Sequence, residues 1–247
     1  MAERTSHPAG AFSWAELATS DLSAAKAFYA VVFGWDYNDI PLGDGQVYSM
    51  AQIGGKNAAA LYQGDPPPHW NNYVTVDDVD AISARVEELG GQLVAPPFDV
   101  MDVGRMAVLQ DPTGAVFQVW EAKKHIGAKI LNEPGALCWT ELTTSDTKAA
   151  EQFYTQLFGW TPKHSAAGAP MEYPEFSVSG TPSIGMMAKP KDMPAHIPSY
   201  WMPYFQVTSV DGSASKAKEL GGKVMIGPQD IPDAGRFAIL TLSLIHI

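Results

Sequence analysis

The sequence predicts an α+β fold made of two tandem βαβββ modules whose curved mixed sheets enclose a shared cavity. Three observations favour this architecture. The chain repeats itself, because residues 10–35 closely match residues 135–160. Each copy carries the same succession of strand and helix patterns. With 46% hydrophobic and 17% charged residues over 247 positions, the chain has a globular composition and can bury a sizeable core.

The internal repeat extends well beyond one motif. Residues 10–35 read GAFSWAELATSDLSAAKAFYAVVFGW, and residues 135–160 read GALCWTELTTSDTKAAEQFYTQLFGW. Residues 70–80 (WNNYVTVDDVD) then match residues 201–211 (WMPYFQVTSVD). Two long matches in the same order indicate a duplicated module of about 110 residues. We therefore divide the chain into a disordered tail (1–9), a first module (10–121), a linker (122–134), a second module (135–241) and a C-terminal tail (242–247).

The elements of the first module follow one another closely. A strand at 14–19 precedes a helix that Asp21 caps and Gly34 ends. Apolar residues at 25, 28, 29 and 32 give this helix one apolar face. Strands at 46–53, 57–63 and 71–76, a helix at 79–89 and a hairpin at 105–120 follow, and the hairpin turns at DPTG.

Charge and composition restrict the function. The chain has 16 basic and 27 acidic residues, which argues against nucleic acid as the main partner because phosphate binding requires a basic surface. No apolar run reaches the roughly 18 residues of a membrane helix, and the N-terminal MAERTSHPAG lacks the apolar segment of a secretory signal. The single Cys138 excludes an internal disulfide framework and a cysteine-rich zinc site. We expect a soluble cytoplasmic protein.

The last residues leave the repeat. The second copy follows the first as far as Thr241, after which the chain reads LSLIHI instead of a DPTG turn. This hexapeptide is the translation of CTGTCTCTTATACACATC, a transposon-end adapter of sequencing libraries, so we interpret residues 242–247 as a non-native tail. The alternative is a genuine divergent end. In either case the counterparts of residues 117–121 are missing, and we expect an unpaired sheet edge in the second module.

Strand alternation sorts the side chains into two sets. Leu17, Val74, Val76, Phe117 and Val119 are expected to face the helices. The predicted cavity lining comprises Trp14, Glu16, Asn71, Tyr73, Gln118 and Trp120 in the first module, Trp139, Glu141, Met202 and Tyr204 in the second, and His69 at the rim. We count Trp70 and Trp201 with this aromatic set. Such a lining suits a flat organic ligand, and the alternative is that the aromatic residues fill a closed core between the modules.

Several of these stretches resemble a known superfamily. D-x-x-x-A-x-x-FY-x-x-x-FGW, ELGG and DPTGAVFQVWE are similar to the vicinal oxygen chelate (VOC) superfamily, which includes glyoxalase I, bleomycin-resistance proteins and extradiol dioxygenases. The paired W-x-EL…FGW modules resemble the two-module glyoxalase-like proteins of actinobacteria. The resemblance covers residues 10–241 and implies the VOC fold, but one fold hosts many chemistries.

The resemblance also implies where a divalent metal would bind. The ligand positions of metal-dependent members correspond to Trp14 and Trp139, to Asn71 and Met202, and to Gln118. None of these residues is His, Glu or Asp, and the strands at 57–63 and 183–188 contain no carboxylate or imidazole. Since a catalytic metal requires about three such ligands, we predict no metal and no cofactor.

Glu16, Glu141 and His125 are the candidate catalytic groups. Two buried carboxylates related by a pseudo-twofold axis would disfavour joint ionisation, so that one could keep a proton near neutral pH. That proton would serve acid–base catalysis on a bound carbonyl compound. The alternative is structural, with Arg105 and Arg236 paired to the two glutamates. For His125 in the linker, a solvated loop position is the ordinary alternative.

Three functions are compatible with these residues. The first is a metal-free binding protein for a small, partly aromatic organic ligand, like the drug-sequestering members of the superfamily. The second is an enzyme of the lactoylglutathione lyase or dioxygenase type that uses the cavity carboxylates or an atypical metal site. The third, a secreted or surface antigen role, rests on resemblance alone. We expect a small-molecule partner, no nucleic acid and no membrane, and either a monomer or a homodimer.

Overall fold

The structure is a computed structural model that describes residues 3–166, 172–194, 196–232 and 234–242. The first module contains β1 (Phe12–Thr19), α1 (Leu22–Phe33), β2 (Asp36–Gly43), β3 (Gln46–Ile53), β4 (Lys56–Gln63), β5 (His69–Thr75), α2 (Val79–Glu88), β6 (Gln92–Val100), β7 (Gly104–Gln110) and β8 (Val116–Ala122). The second contains β9 (Leu137–Thr144), α3 (Thr147–Phe158), β10 (Thr161–Lys163), β11 (Glu175–Val178), β12 (Thr181–Ala188), β13 (Tyr200–Phe205), α4 (Val210–Glu219), β14 (Lys223–Ile231) and β15 (Gly235–Thr241).

The predicted α+β class with tandem modules and mixed sheets is confirmed. The first module forms one eight-stranded sheet in the order β2-β3-β4-β1-β5-β8-β7-β6. Strand β1 pairs in parallel with β4 and antiparallel with β5, and β5 pairs in parallel with β8. The βαβββ unit therefore occurs twice within this module, as β1-α1-β2-β3-β4 and as β5-α2-β6-β7-β8.

Helix boundaries follow the capping residues that the sequence predicts. The Asp21 side chain accepts a hydrogen bond from the backbone N–H of Ala24 at 2.9 Å, which satisfies a free donor at the start of α1. Gly34 ends the helix in the left-handed region with φ 74°, where a side chain would be strained. Asp146 and Gly159 do the same for α3 in the second module. The repeated D…FG spacing thus sets the length of both helices.

Two strands of the first module are absent from the sequence prediction. Strand β2 reads DYNDIPLG and β6 reads QLVAPPFDV, and both are largely exposed. They are the two edge strands of the eight-stranded sheet, where a proline and polar residues are tolerated because one side of the strand makes no ladder hydrogen bonds. Their pattern therefore resembles that of loops.

The helices pack across the module boundary. Phe153 and Tyr154 of α3 lie in one buried cluster with Val86 and Phe117 of the first module. Helix α1 packs against Phe205 of the second module in another cluster. Each module therefore covers part of the other's sheet.

Two tryptophan side chains join the modules reciprocally. The indole N–H of Trp35 donates to the carbonyl of Gly135 at 2.8 Å, and that of Trp160 donates to the carbonyl of Gly10 at 2.8 Å. Both bonds are buried. The glycine and the tryptophan at the two ends of the 26-residue repeat are thus contact residues between the copies.

The second module differs from the first at its C-terminal side. Its strands form a five-stranded sheet (β10-β11-β12-β9-β13) and a separate β14-β15 hairpin. Within the described part of the chain, no strand takes the place that β8 occupies between β5 and β7. Leu242, the first residue of the predicted non-native tail (242–247), is buried beside the α1 cluster, and residues 243–247 lie outside the described ranges.

The expectation of a disordered tail is wrong for residues 3–9. The backbone N–H of Arg4 donates to the carbonyl of Lys129 at 2.9 Å, and the His7 imidazole Nε2 lies 2.7 Å from the carbonyl of Ala128. Residues 3–9 are ordered by these hydrogen bonds to carbonyl groups of the linker, a long-range contact that local sequence patterns do not predict. Residues 1–2 lie outside the described ranges. None of the helices in the described part of the chain is long and apolar enough to cross a membrane.

Candidate functional site

A buried carboxylate and two tyrosines form the centre of the first module. Strand β1 places Trp14 and Glu16 on the same face. The hydroxyl of Tyr73 donates to Glu16 Oε1 at 2.6 Å, and the hydroxyl of Tyr48 donates to Glu16 Oε2 at 2.7 Å. The indole N–H of Trp14 donates to the Tyr48 hydroxyl at 3.0 Å, and Asn71 Nδ2 lies 3.3 Å from Glu16 Oε1. Four side chains from three strands thus hold one carboxylate in a fixed position, three of them directly and Trp14 through Tyr48.

The second module repeats this arrangement. Glu141 accepts hydrogen bonds from the hydroxyls of Tyr173 at 2.6 Å and Tyr204 at 3.0 Å, and Trp139 donates to Tyr173 at 3.0 Å. The sequence prediction missed the bridging tyrosines. Tyr48 and Tyr173 are separated by the same offset as the two tryptophans, so the repeat itself contained the signal that could have identified them.

Desolvation controls the protonation of both carboxyls. Burial raises the pKa of Glu16, and hydrogen bonds from Tyr73, Tyr48 and Asn71 oppose that rise. Burial likewise raises the pKa of Glu141, against hydrogen bonds from its two tyrosines. Neither carboxylate contributes to the pKa shift of the other, and the two networks share no residue. The prediction that repulsion between the two carboxylates raises their pKa values is therefore wrong, because each glutamate lies in the sheet of its own module.

The arginines do not pair with the glutamates. Arg105, which is half-buried, binds the exposed Asp80 at 2.8 Å, and Arg236 binds Asp211 at 2.7 Å at exposed positions. The structural alternative of arginine–glutamate pairs is therefore wrong. The repeat keeps these arginines because each joins the start of a helix to a strand of the following hairpin.

A cavity of about 610 Å³ opens beside Glu16. It brings together five of the predicted site residues, namely Glu16, His69, Asn71, Tyr73 and Gln118. Met106 and Val108 of β7 add apolar surface, and residues 198–201 of the second module complete the lining. The cavity is therefore lined from both modules. A smaller cavity of about 280 Å³ near Ser6 contains none of the predicted residues.

The remaining predicted lining residues lie around this cavity or apart from it. Trp14, Tyr73 and Trp120 pack in one cluster with Ala128 of the linker. Trp139, Glu141 and Tyr204 form the separate network of the second module, where Met202 pairs with Glu141 across β13 and β9.

Trp70 and Trp201 border the cavity, but their rings pack on the helix side. The Trp70 ring lies 5.8 Å from Tyr29 of α1, and the Trp201 ring lies 5.2 Å from Tyr154 of α3. Trp70 precedes Asn71, which lines the cavity, and Trp201 precedes Met202, which pairs with Glu141, so alternation directs each ring to the opposite face of its sheet.

The two candidate histidines have different surroundings. The His125 ring stands edge-on to Trp14 at 4.7 Å, and burial lowers its pKa to about 4, so it is neutral at pH 7. It makes no hydrogen bond to Glu16, and its Nε2 has no partner among the described residues. His69 is exposed at the cavity rim, where its Nδ1 lies 2.9 Å from the carbonyl of Pro67. Neither imidazole is placed to exchange a proton directly with Glu16.

The donor set beside the cavity does not fit a catalytic divalent metal. The described residues contain no group of three or more His, Cys, Asp and Glu side chains that could hold an ion. Among the described residues, Glu16 is the one carboxylate that lines the cavity, and both of its oxygens already accept tyrosine hydrogen bonds. Its neighbours Asn71 and Gln118 are neutral amides, which are weak ligands for transition metals.

Comparisons with known proteins support the same fold. The family model for the Glyoxalase/Bleomycin resistance protein/Dioxygenase superfamily matches residues 11–119 and 127–242. "Putative glyoxylase CFP32" of Mycobacterium tuberculosis is 42% identical over 98% of this chain and 94% of its own length. "Anthracycline biosynthesis protein DnrV" of Streptomyces peucetius is 32% identical over 94% of this chain and 89% of its own length.

Solved structures resemble this fold at low sequence identity. The Mn(II)-bound glyoxalase from Novosphingobium aromaticivorans has a TM-score of 0.62 at 18% identity, covering 94% of this chain and 81% of its own. The 2,2',3-trihydroxybiphenyl 1,2-dioxygenase from Sphingomonas wittichii has a TM-score of 0.66 at 13% identity, covering 94% of this chain and 89% of its own. At these identities the likeness concerns the fold alone.

Proposed function

This chain belongs to the Glyoxalase/Bleomycin resistance protein/Dioxygenase superfamily, and we propose that it binds a small, partly aromatic organic molecule without a metal ion. The observation that carries this proposal is the cavity of about 610 Å³ beside Glu16. Its volume lies within the range of roughly 300–1,000 Å³ that small-molecule sites occupy.

The chemistry of the walls supports an aromatic ligand. The lining includes three tyrosines, Tyr62, Tyr73 and Tyr200, together with apolar residues of β7 and a few amide and carboxyl groups. Trp70 and Trp201 border the cavity, with their rings packed on the helix side. Aromatic walls favour flat rings, and a small number of fixed polar groups sets their orientation. An anthracycline is a flat polycyclic molecule, so the name of the Streptomyces relative supports a ligand of this kind.

The site is organised before a ligand arrives. Tyr48 and Tyr73 hold the Glu16 carboxylate, and Trp14 holds Tyr48. A side chain fixed in this way loses little conformational entropy on binding, which favours affinity.

Native mass spectrometry of the purified full chain tests this proposal. We expect a non-covalent adduct of a small organic molecule, or a rise in melting temperature with a polycyclic aromatic probe such as 2-hydroxyanthraquinone. Elemental analysis of the same sample should show no stoichiometric transition metal. Neither an adduct nor a shift, or one tightly held metal ion per chain, would contradict the proposal.

A second candidate function is an enzyme of the lactoylglutathione lyase or dioxygenase type that uses the cavity carboxylates. The raised pKa of Glu16 beside the cavity favours it, because a carboxyl that titrates closer to neutral pH can serve as a general acid or base. The hemithioacetal of methylglyoxal and glutathione is a suitable test substrate. Turnover that survives a chelator and is lost in Glu16→Gln, but not in Glu141→Gln, would favour this function over simple binding.

A further inference from the structure

We propose that the cavity selects ligands that present an O–H or N–H donor to the side-chain oxygen of Gln118. This inference rests on the proposed binding function and specifies the polar chemistry of the ligand. Gln118 is 4% exposed and lines the cavity, yet its Oε1 accepts no hydrogen bond from any described residue. Buried amide oxygens without a partner are rare in native proteins, and such an atom points to a missing donor.

The Glu16 carboxylate sets the orientation of the Gln118 amide through Asn71, which lies between them and hydrogen-bonds to both. An ionised carboxylate can only accept hydrogen bonds, so Asn71 turns its Nδ2 toward Glu16 at 3.3 Å. Its Oδ1 then faces Gln118, which donates from Nε2 at 2.9 Å. The Gln118 Oε1 therefore has no donor. Flipping either amide would place two acceptors or two donors against each other.

On the side of Asn71 away from Gln118, the hydroxyl of Tyr62 offers a hydrogen-bond donor. Asn71 Nδ2 also lies 3.1 Å from the hydroxyl oxygen of Tyr62, which accepts its second hydrogen. The hydroxyl proton of Tyr62 remains free to donate, because no acceptor for it is found among the described residues. We call Tyr62, Asn71 and Gln118 the amide ladder, which ends in a donor at Tyr62 and an acceptor at Gln118.

The ladder specifies a ligand class. A complementary molecule is an aromatic compound that carries a hydroxyl or N–H group toward Gln118 and a carbonyl group toward Tyr62. An analogue without the donor would bury the Gln118 oxygen unpaired, and sites built to hydrogen-bond a hydroxyl group reject such analogues strongly. The ladder therefore discriminates between ligands rather than adding general affinity.

The second module lacks this ladder. Met202 pairs with Glu141 as Asn71 pairs with Glu16, and Met187 occupies the strand position of Tyr62. The two glutamate networks are alike, whereas the polar selection is confined to the first module.

A pair of probes that differ only in the donor tests the inference, namely 2-hydroxyanthraquinone and 2-methoxyanthraquinone. Binding to the full chain is followed by quenching of tryptophan fluorescence. We expect the hydroxyl compound to bind at least about tenfold more tightly than the methoxy compound. In Gln118→Met this ratio should fall to about one while binding of the methoxy compound is retained. Tyr62→Phe is the control, and it should weaken both probes by a similar factor and leave the ratio unchanged.

The outcomes separate the inference from the proposed function. A wild-type ratio near one, or an unchanged ratio in Gln118→Met, would overturn the donor selectivity alone. Binding of neither probe to the wild-type chain would overturn the aromatic-binding proposal and this inference with it. Thermal melting checks folding, and Gln118→Met should melt slightly below the wild type, because it removes the unpaired Gln118 oxygen but also the donor to Asn71 Oδ1.

Discussion

Replacing Tyr73 by phenylalanine removes the shortest hydrogen bond to the Glu16 carboxylate. The Tyr73 hydroxyl donates to Oε1 at 2.6 Å from a buried position. Hydrogen bonds to charged groups contribute about 1.5–3 kcal/mol, and the carboxylate left with fewer donors remains desolvated. We therefore expect Tyr73→Phe to lower the free energy of unfolding by about 1.5–3 kcal/mol, which corresponds to roughly 3–12 °C in melting temperature for a chain of this size.

The repeat provides a matched control for this substitution. Tyr204 makes the equivalent bond to Glu141, but it is longer, at 3.0 Å, and its ring is only partly buried. Tyr204→Phe should therefore cost less than Tyr73→Phe. Urea unfolding followed by circular dichroism measures both. Equal losses in the two variants, or a loss below about 0.5 kcal/mol in Tyr73→Phe, would refute the argument that the buried network stabilises the fold.

Three further predictions concern ionisation, the module interface and the sheet edge. Burial raises the pKa of Glu16 above its ordinary 4.5, so the wild type loses stability as pH rises through the folded-state pKa and the buried carboxyl ionises. Glu16→Gln should therefore gain stability relative to the wild type as pH rises from 4.5 to neutral. A pH-independent difference between the two chains in urea unfolding would contradict this. Trp160→Phe removes the buried bond to Gly10 and should cost about 1–3 kcal/mol in urea unfolding, whereas no loss would deny this bond a role in joining the modules. Replacing the tail after Thr241 with a copy of residues 111–122 should add a strand between β13 and β15, as β8 lies between β5 and β7, and raise solubility and the melting temperature. Equal melting temperatures would argue against an open edge.

Local patterns accounted for the parts of the fold that depend on neighbours in sequence. The capping residues Asp21 and Gly34 located α1 because a helix end is satisfied within one turn of the chain. Alternation placed Glu16, Asn71, Tyr73 and Gln118 on one face because successive side chains in a strand point to opposite sides. The edge strands β2 and β6 were not predicted because they contain prolines, which are typical of loops.

The sequence by itself determined that a module is duplicated, that the fold is of the α+β class, and that tryptophans and glutamates recur at matching strand positions in each copy. Only the tertiary structure decided which groups meet, because strand pairing joins residues that are far apart in sequence. It brought Tyr48 to Glu16, separated the two glutamates into independent networks, and directed the arginines to surface aspartates. It also left the Gln118 oxygen without a donor, since the partner of a side chain depends on long-range packing that no local pattern records.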